Sequence, residues 1–238
     1  MTKAEIQKEN AFIPETAQRT HDLGCLAASL HDEISRRMDE GHLIVRVAGF
    51  GSTGKSTIAK GVEGTFDYVP VLQTDGYMPD RETRNTHNWS NGDDPEVINF
   101  PKMLENIKRL FSGMEVPDIT YDHATGKHIV VGILRPSKLI IAEGACALYD
   151  ELLLPVPSLR IFLDADSEDT RAALRHQVNM SERGYSKEQS RLALPGYLNA
   201  YKKFVLPSMH NADHIVIVDA MRRYQTTLIS RCACPPAT

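Results

Sequence analysis

The sequence has few of the features that mark secreted, membrane-spanning or metal-binding proteins. Its 238 residues include only four cysteines, too few for a disulfide-stabilised scaffold and without the paired Cys/His spacing of a zinc site. It has no apolar run near the roughly 20 residues that a membrane-spanning helix needs. The first 15 residues are too polar for a secretory leader. We therefore expect a protein of the cytoplasm with no membrane partner.

An excess of positive charge is also missing. Lys and Arg number 27 against 31 for Asp and Glu, a formal net charge of −4 at pH 7. Such a chain has no global field to attract a polyanion, so nucleic acid is not an expected partner. The expected partner is instead a small molecule. The sequence leaves the oligomeric state open, with a homodimer as one option.

Short apolar runs alternate with helical patterns along most of the chain. Strands are predicted at 42–48, 68–73, 138–142, 159–163 and 214–218, and helices at 55–62, 101–112, 168–182 and 197–205. This alternation is typical of an α/β fold, here a doubly wound parallel sheet of five strands. Two further runs, 116–121 and 128–134, predict a β-hairpin outside that sheet, where it can serve as a flap over a site.

The chain divides into three predicted stretches. Residues 1–41 form a helical N-terminal preface packed on the core, with leucines at helical spacing and a stop at Gly41. Residues 42–230 form the α/β domain. Residues 231–238, with Cys232 and Cys234, form a tail.

The most specific motif lies between the first predicted strand of the sheet and the following helix. Residues 49–56 read GFGSTGKS, a full match to the GxxxxGK[ST] phosphate loop in its strand–loop–helix context. Glycines let the backbone turn its N–H groups inward, and the helix N-terminus adds positive potential for a triphosphate. Lys55 is expected to reach the β- and γ-phosphates, and the Ser56 hydroxyl to bind Mg²⁺. The predicted nucleotide-binding residues are Gly49, Gly51, Ser52, Thr53, Gly54, Lys55, Ser56 and Thr57.

Missing motifs narrow the class of nucleotide-binding protein. Neither the guanine-reading Asn/Thr-Lys-x-Asp nor the switch Asp-x-x-Gly of GTPases occurs, and the strand at 139–142 ends in Glu143-Gly144 rather than an Asp-Glu pair. These absences favour a phosphotransferase, which needs a carboxylate near the end of a neighbouring strand to accept the acceptor's proton. Asp75 follows the strand at 68–73 and fits this role. The alternative is that Asp75-Gly76 simply makes a turn.

Several ordered segments resemble the uridine kinase and phosphoribulokinase family of P-loop kinases, over a stretch from about 49 to 219. They are the phosphate loop, Asp75-Gly76-Tyr77, 92–99, 110–113, Pro117 with Tyr121-Asp122, 141–144, Glu182-Arg183-Gly184 and 201–215. The resemblance implies an ATP- and Mg²⁺-dependent kinase that phosphorylates a hydroxyl of a small nucleoside-, sugar- or polyol-like metabolite. It also implies a helical lid and a hairpin that acts as a substrate flap.

By this resemblance, Asp75 is the general base, Glu143 helps to hold Mg²⁺, and Asp93 contacts a sugar hydroxyl. The predicted catalytic residues are Lys55, Asp75, Arg175 and Arg183, and the predicted metal ligands are Ser56 and Glu143. The predicted acceptor contacts are Asp75, Tyr77, Arg84, Asp93, Tyr121, His123 and Arg175.

The lid and the flap depart from the uridine kinases. Residues 174–185 lack three arginines and one acid of their lid pattern, and Gly126 stands where they carry a base-reading histidine. Uridine itself is therefore disfavoured as acceptor. Arg81 and Arg84 either read an acidic group or belong to a solvated loop. Two alternatives remain open: a kinase of an already phosphorylated or acidic acceptor, and a non-catalytic ATP-binding regulatory protein.

Overall fold

The computed structural model describes residues 18–20, 23–87, 89, 93–149 and 157–228. The strands are β1 Gln18–Thr20, β2 Leu43–Gly49, β3 Val71–Gln73, β4 Val116–Asp122, β5 Lys127–Leu134, β6 Leu139–Glu143, β7 Ser158–Ala165, β8 His214–Val218 and β9 Tyr224–Leu228. The α-helices are α1 Leu23–Met38, α2 Lys55–Glu63, α3 Arg81–Thr86, α4 Phe100–Phe111, α5 Glu168–Ser181 and α6 Lys187–Ala200. Short 3₁₀ helices cover Thr74–Tyr77, Pro95–Val97 and Leu206–Asn211, and a π-helical turn covers Tyr201–Val205. No helix in these ranges combines the length and the apolar character needed to cross a bilayer.

A mixed sheet with the order β1-β9-β8-β7-β2-β6-β3 runs through the centre of the fold. Its five strands from β8 to β3 are parallel, as the sequence predicts. The sequence analysis missed β9 and β1, which extend one edge as antiparallel strands. The carboxyl ends of the five parallel strands all lie along one side of the sheet, which we call its carboxyl edge. Residues that follow these strands therefore meet there.

Helices cover both faces of this sheet, which explains the continuous apolar runs of its central strands. Every residue of β2 is buried. Ile44 and Ala48 belong to a hydrophobic cluster that includes Phe100 of α4, while Val45 belongs to a second cluster that includes Ile34 of α1. The period-two alternation of strand side chains thus divides one strand between two cores.

The ends of the chain differ from the prediction in part. Helix α1 lies within the predicted preface, but Gln18–Thr20 forms a strand paired with β9 rather than a helix. Residues 1–17 and the predicted tail at 231–238 lie outside the described residues.

The helix predicted at 197–205 was wrong at its start. Helix α6 begins at Lys187, after a capping box in which the Ser186 side chain and the Gln189 side chain each bind the other residue's backbone N–H. Pro195 lies inside this helix, and an interior proline is normally a helix-breaking signal. The final part of the predicted helix is the π-helical turn.

Strands β4 and β5 form the predicted hairpin as a separate two-stranded sheet. The hairpin packs on the 3₁₀ helix that follows β3, so closely that a Cβ at Gly76 would overlap the Ile119 carbonyl. Only glycine fits this approach. The hairpin therefore stands beside the carboxyl edge of the sheet.

Candidate active site

A cavity of about 870 Å³ opens at the carboxyl edge of the parallel strands. Its walls come from the phosphate loop, the hairpin and the lid, which consists of α5, α6 and the residues between them. All of the predicted site residues except Gly49, Thr53 and Tyr77 line it. The fold thus gathers side chains from widely separated parts of the chain into one space.

The three exceptions have structural positions. Gly49 has φ 126°, and a Cβ there would overlap the backbone of Leu163 in β7. Thr53 is buried, and its hydroxyl donates to the Phe50 carbonyl at 2.8 Å. Tyr77 was predicted as an acceptor contact, but its ring lies in the core and its hydroxyl accepts a hydrogen bond from Asn106 at 2.9 Å.

The phosphate loop has the geometry of an anion cradle. Ser52 and Gly54 both have left-handed φ values, 77° and 98°, which turn the loop into the N-terminus of α2. The N-cap residue, Gly54, has no side chain to cap this helix, so the first N–H groups of α2 remain available for a ligand. Within the described residues, the buried Ser52 hydroxyl has no hydrogen-bond partner. These features fit the phosphates of a nucleotide.

Lys55, the first residue of α2, reaches back into the loop. Its ammonium donates to the Phe50 carbonyl at 2.9 Å, and its side chain is almost fully buried. Burial lowers the pKa of Lys55, although the carboxylates of Glu143, Asp93 and Asp75 favour its charged form. A bound phosphate would supply further negative charge beside this ammonium.

Ser56 and Glu143, the two predicted metal ligands, both line the cavity. Burial raises the pKa of Glu143, and this effect is opposed by the charge of Lys55 and by a hydrogen bond with Ser56. The described residues contain no cluster of three or more His, Cys, Asp or Glu side chains suited to a metal. Mg²⁺ would therefore draw its other oxygen ligands from phosphate and water, as it commonly does.

Asp75 lies in the 3₁₀ helix after β3 and faces the phosphate loop across the cavity. Burial acts to raise its pKa, but a hydrogen bond from His123 and the charges of His123, Arg183 and Lys55 lower the pKa below its ordinary value. The His123 Nε2 lies 3.5 Å from the Asp75 Oδ2. Asp75 is therefore an ionised carboxylate at neutral pH, able to accept a hydrogen bond from a hydroxyl.

Asp93 presents a second carboxylate in the same cavity. Burial raises its pKa, against the opposing charge of Arg175, and the nearby Asp75 raises it further. Two carboxylates of different basicity thus face one space. Gly92, which precedes Asp93 in the resembling segment, lies outside the described residues.

The hairpin is fixed to the segment after β3 by side chains of α3. The Arg84 Nη2 donates to the Tyr121 hydroxyl at 2.5 Å, and its Nε donates to the Pro79 carbonyl at 3.2 Å. Arg81 donates to the carbonyls of His123 and Ala124 at the hairpin tip. Both arginines therefore hold the flap in place.

The lid contributes two arginines to the cavity. Arg175 of α5 is only 4% exposed, and its guanidinium lies 3.7 Å from the centroid of the Tyr197 ring of α6. Arg183 follows α5, and burial together with the charge of Arg175 lowers its pKa. Two cationic groups in a partly desolvated site suit the negative charge of phosphoryl groups.

Several residues of the cavity were not predicted as site residues. They include Gln73, Thr120, Tyr185, Tyr197 and Arg222. Tyr185 directly follows the Glu182-Arg183-Gly184 segment, which was a usable signal. Arg222 gave none: it lies between β8 and β9 with φ 58°, and donates to the Ser52 carbonyl at 3.2 Å.

Comparisons with known proteins place these features in a family. A family model for the Phosphoribulokinase / Uridine kinase family matches residues 44–226. The chain is similar to the phosphoribulokinase of Synechocystis sp., with 28% identity over 179 residues that cover 74% of this chain and 53% of that protein. It is also similar to the uridine kinase of Streptococcus gordonii, with 27% identity over 197 residues that cover 79% of this chain and 92% of that protein. The chain thus spans about half the length of that phosphoribulokinase but nearly all of that uridine kinase.

Among solved structures, the D-glycerate 3-kinase of Cryptococcus neoformans matches with a TM-score of 0.64 at 10% identity, over 87% of this chain and 99% of that one. This likeness is one of fold. The family match extends from β2 through the phosphate loop, the hairpin and the lid into β9. Because this match covers more than half of the chain, the chain belongs to the phosphoribulokinase and uridine kinase family.

Proposed function

We propose that the protein transfers the γ-phosphate of ATP, with Mg²⁺, to a hydroxyl group of a small metabolite. The observation that carries this proposal is the shared cavity of Lys55, on the phosphate loop, and Asp75, an ionised carboxylate on the acceptor side. Family membership supports the same class of reaction.

The phosphate loop and Lys55 would bind the nucleotide's phosphates. Ser56 and Glu143 would hold Mg²⁺, which supplies positive charge to the phosphate oxygens. Asp75 would orient the acceptor hydroxyl and take its proton as the new oxygen–phosphorus bond forms and the bond to the ADP oxygen breaks. Arg175 and Arg183 would stabilise the charge spread over the transferring group.

The acceptor side favours a polyhydroxyl compound without its own phosphate. Asp75 and Asp93 are both hydrogen-bond acceptors, which suits two hydroxyl donors. The guanidinium N–H groups of Arg81 and Arg84 already donate to the hairpin and to the Pro79 carbonyl, which leaves fewer donors there for an anionic acceptor. We therefore place sugars, polyols and nucleosides before phosphorylated acceptors.

Turnover with Mg²⁺ and ATP against matched pairs of phosphate-free and phosphorylated acceptors tests this proposal. We expect product only from phosphate-free members. Asp75→Asn should lower turnover by about 10²–10⁴-fold, the usual contribution of a general base, with ATP affinity unchanged. Asp67→Asn, the same change at an exposed site outside the cavity, serves as control.

Normal turnover by Asp75→Asn would remove Asp75 from the mechanism. ATP binding without product from any acceptor would identify a nucleotide-binding regulatory protein instead. Product from the phosphorylated members alone would reverse the assigned acceptor class.

A further inference from the structure

We propose that Tyr197 is a positioning residue that holds the Arg175 guanidinium against the phosphate loop, ready for the γ-phosphate of ATP. The inference rests on the proposed function, in which Arg175 acts on the transferring phosphoryl group. No motif of the sequence pointed to Tyr197, which is the first residue of the helix predicted at 197–205 and lies inside α6.

Arg175 is enclosed between the lid and the loop. Its guanidinium carbon lies 3.7 Å from the centroid of the Tyr197 ring. Its Nη1 occupies the space that a Cβ at Gly51 would fill. The guanidinium is therefore in contact with an aromatic ring of the lid and with the backbone of the phosphate loop.

The type of partner matters for function. Arg171, on the same helix, is paired with the Asp164 carboxylate through two bonds of 2.7 and 2.6 Å. Among the ion pairs of the described residues, none involves Arg175, and its Nε has no hydrogen-bond partner there. An aromatic face attracts a cation without neutralising its charge. Tyr197 therefore fixes Arg175 while leaving its positive charge available to a phosphate.

The ring itself is held in place by the packing of the lid. The buried Ser190 hydroxyl of α6 contacts two side chains of α5, His176 at 2.8 Å and Asn179 at 3.1 Å. These contacts fix α6 relative to α5, so the Tyr197 ring and Arg175 keep their relative position. Holding the guanidinium in one orientation lowers the entropy lost when phosphate binds.

Binding without an acceptor tests this proposal independently of turnover. Isothermal titration with Mg²⁺ and either ATP or ADP gives the preference of each variant for the extra phosphate. We expect Tyr197→Leu to reduce that preference about tenfold, and Tyr197→Phe, which keeps the aromatic face, to stay within about threefold of wild type. Leu192→Ala, at an exposed site of α6, should match wild type.

A double-mutant cycle separates positioning from a general loss of structure. If Tyr197 acts through Arg175, Tyr197→Leu should cause no further loss of ATP preference in an Arg175→Gln background. The same loss in both backgrounds, or an unchanged preference in Tyr197→Leu, would overturn the proposal.

Gly51→Ala perturbs the position of Arg175 from the phosphate loop and changes no residue of the lid. The new methyl group would displace the Arg175 Nη1, so we expect a loss of ATP preference like that of Tyr197→Leu. If Tyr197→Leu does not fold, an unchanged preference in Gly51→Ala overturns the proposal on its own. A failure of the proposed kinase activity would appear separately, as absent turnover in a wild-type protein that still prefers ATP.

Discussion

Buried charged groups differ between the carboxyl edge of the parallel sheet and its amino edge, where the five strands begin. At the carboxyl edge, burial shifts the pKa values of Lys55, Glu143 and Asp93 toward their neutral forms. At the amino edge, burial also acts on Asp213 and Glu33, but nearby basic groups outweigh it and lower both pKa values.

The contacts explain this difference. The Asp213 carboxylate, next to the start of β8, accepts hydrogen bonds from the Arg160 Nε at 3.2 Å, its Nη2 at 2.7 Å and its backbone N–H at 2.9 Å. Glu33 of α1 pairs with Arg37 at 2.6 Å and with His214 at 2.9 Å. These pairs tie β7, β8 and α1 together.

The comparison separates buried charged groups that are paired within the protein from buried charged groups that have incomplete pairing. At the amino edge, the free-energy cost of burying each carboxylate is offset within the protein. In the cavity that cost is only partly offset, which leaves groups whose charged forms a nucleotide and a cation would stabilise. Asp75 is the exception at the carboxyl edge, because His123, Arg183 and Lys55 surround it.

The largest expected effect is a loss of stability when the Asp213 pair at the amino edge is broken. Asp213→Asn should lower the free energy of unfolding by about 2 to 3 kcal/mol, because it leaves the Arg160 guanidinium without its charged partner. Since the pKa of Asp213 is lowered in the folded protein, its stabilisation is present above the unfolded-state pKa and lost as pH falls through the folded-state value. Urea unfolding at pH 7 and at pH 3 measures this, and turnover should stay unchanged. Equal stability of variant and wild type at pH 7 would contradict the comparison.

A smaller effect is expected at the hairpin. Arg81→Ala removes the side-chain bonds to the carbonyls of His123 and Ala124, which loosens the hairpin tip that holds His123 beside Asp75. We expect the KM of the acceptor to rise about tenfold, near the usual value of one or two charge-assisted hydrogen bonds, while the KM of ATP stays unchanged. Steady-state kinetics with each substrate varied in turn provides the measurement. Lys127→Ala, at an exposed site of β5, should leave both constants unchanged. An equal rise in both KM values would mean that Arg81 does not act on the acceptor side alone.

The smallest effect has the opposite sign for stability. The raised pKa of Asp93 means that its ionised form destabilises the folded protein at pH 7, so Asp93→Asn should raise the melting temperature by about 2 °C while lowering turnover. A raised acidic pKa favours folding below the unfolded-state pKa, and this stabilisation is lost as pH rises through the folded-state value. The gain should therefore disappear near pH 3. Thermal unfolding at both pH values tests it, and a lower melting temperature at pH 7 would place Asp93 with the stabilising pairs of the amino edge.

Much of the fold could be read from the sequence because the signals are local. The five parallel strands are short apolar runs, and most of their connecting helices carry a helical pattern of their own. Errors occurred where a local signal was weak or misleading, as at Pro195 inside α6 and at β9, a strand with polar residues between β8 and β1. Tyr77 shows a different limit, because a motif residue beside Asp75 packs into the core rather than into the cavity.

The sequence alone determined the phosphate loop, because its glycines and Lys55 act through contiguous backbone geometry. It also placed Asp75 and Glu143 just after two predicted strands. Tertiary structure decided which side chains control these groups. Tyr197, Arg81 and Arg222 reach Arg175, His123 and Ser52 only through the packing of lid, hairpin and sheet. Such contacts join residues that are distant along the chain, and no local pattern encodes their distances.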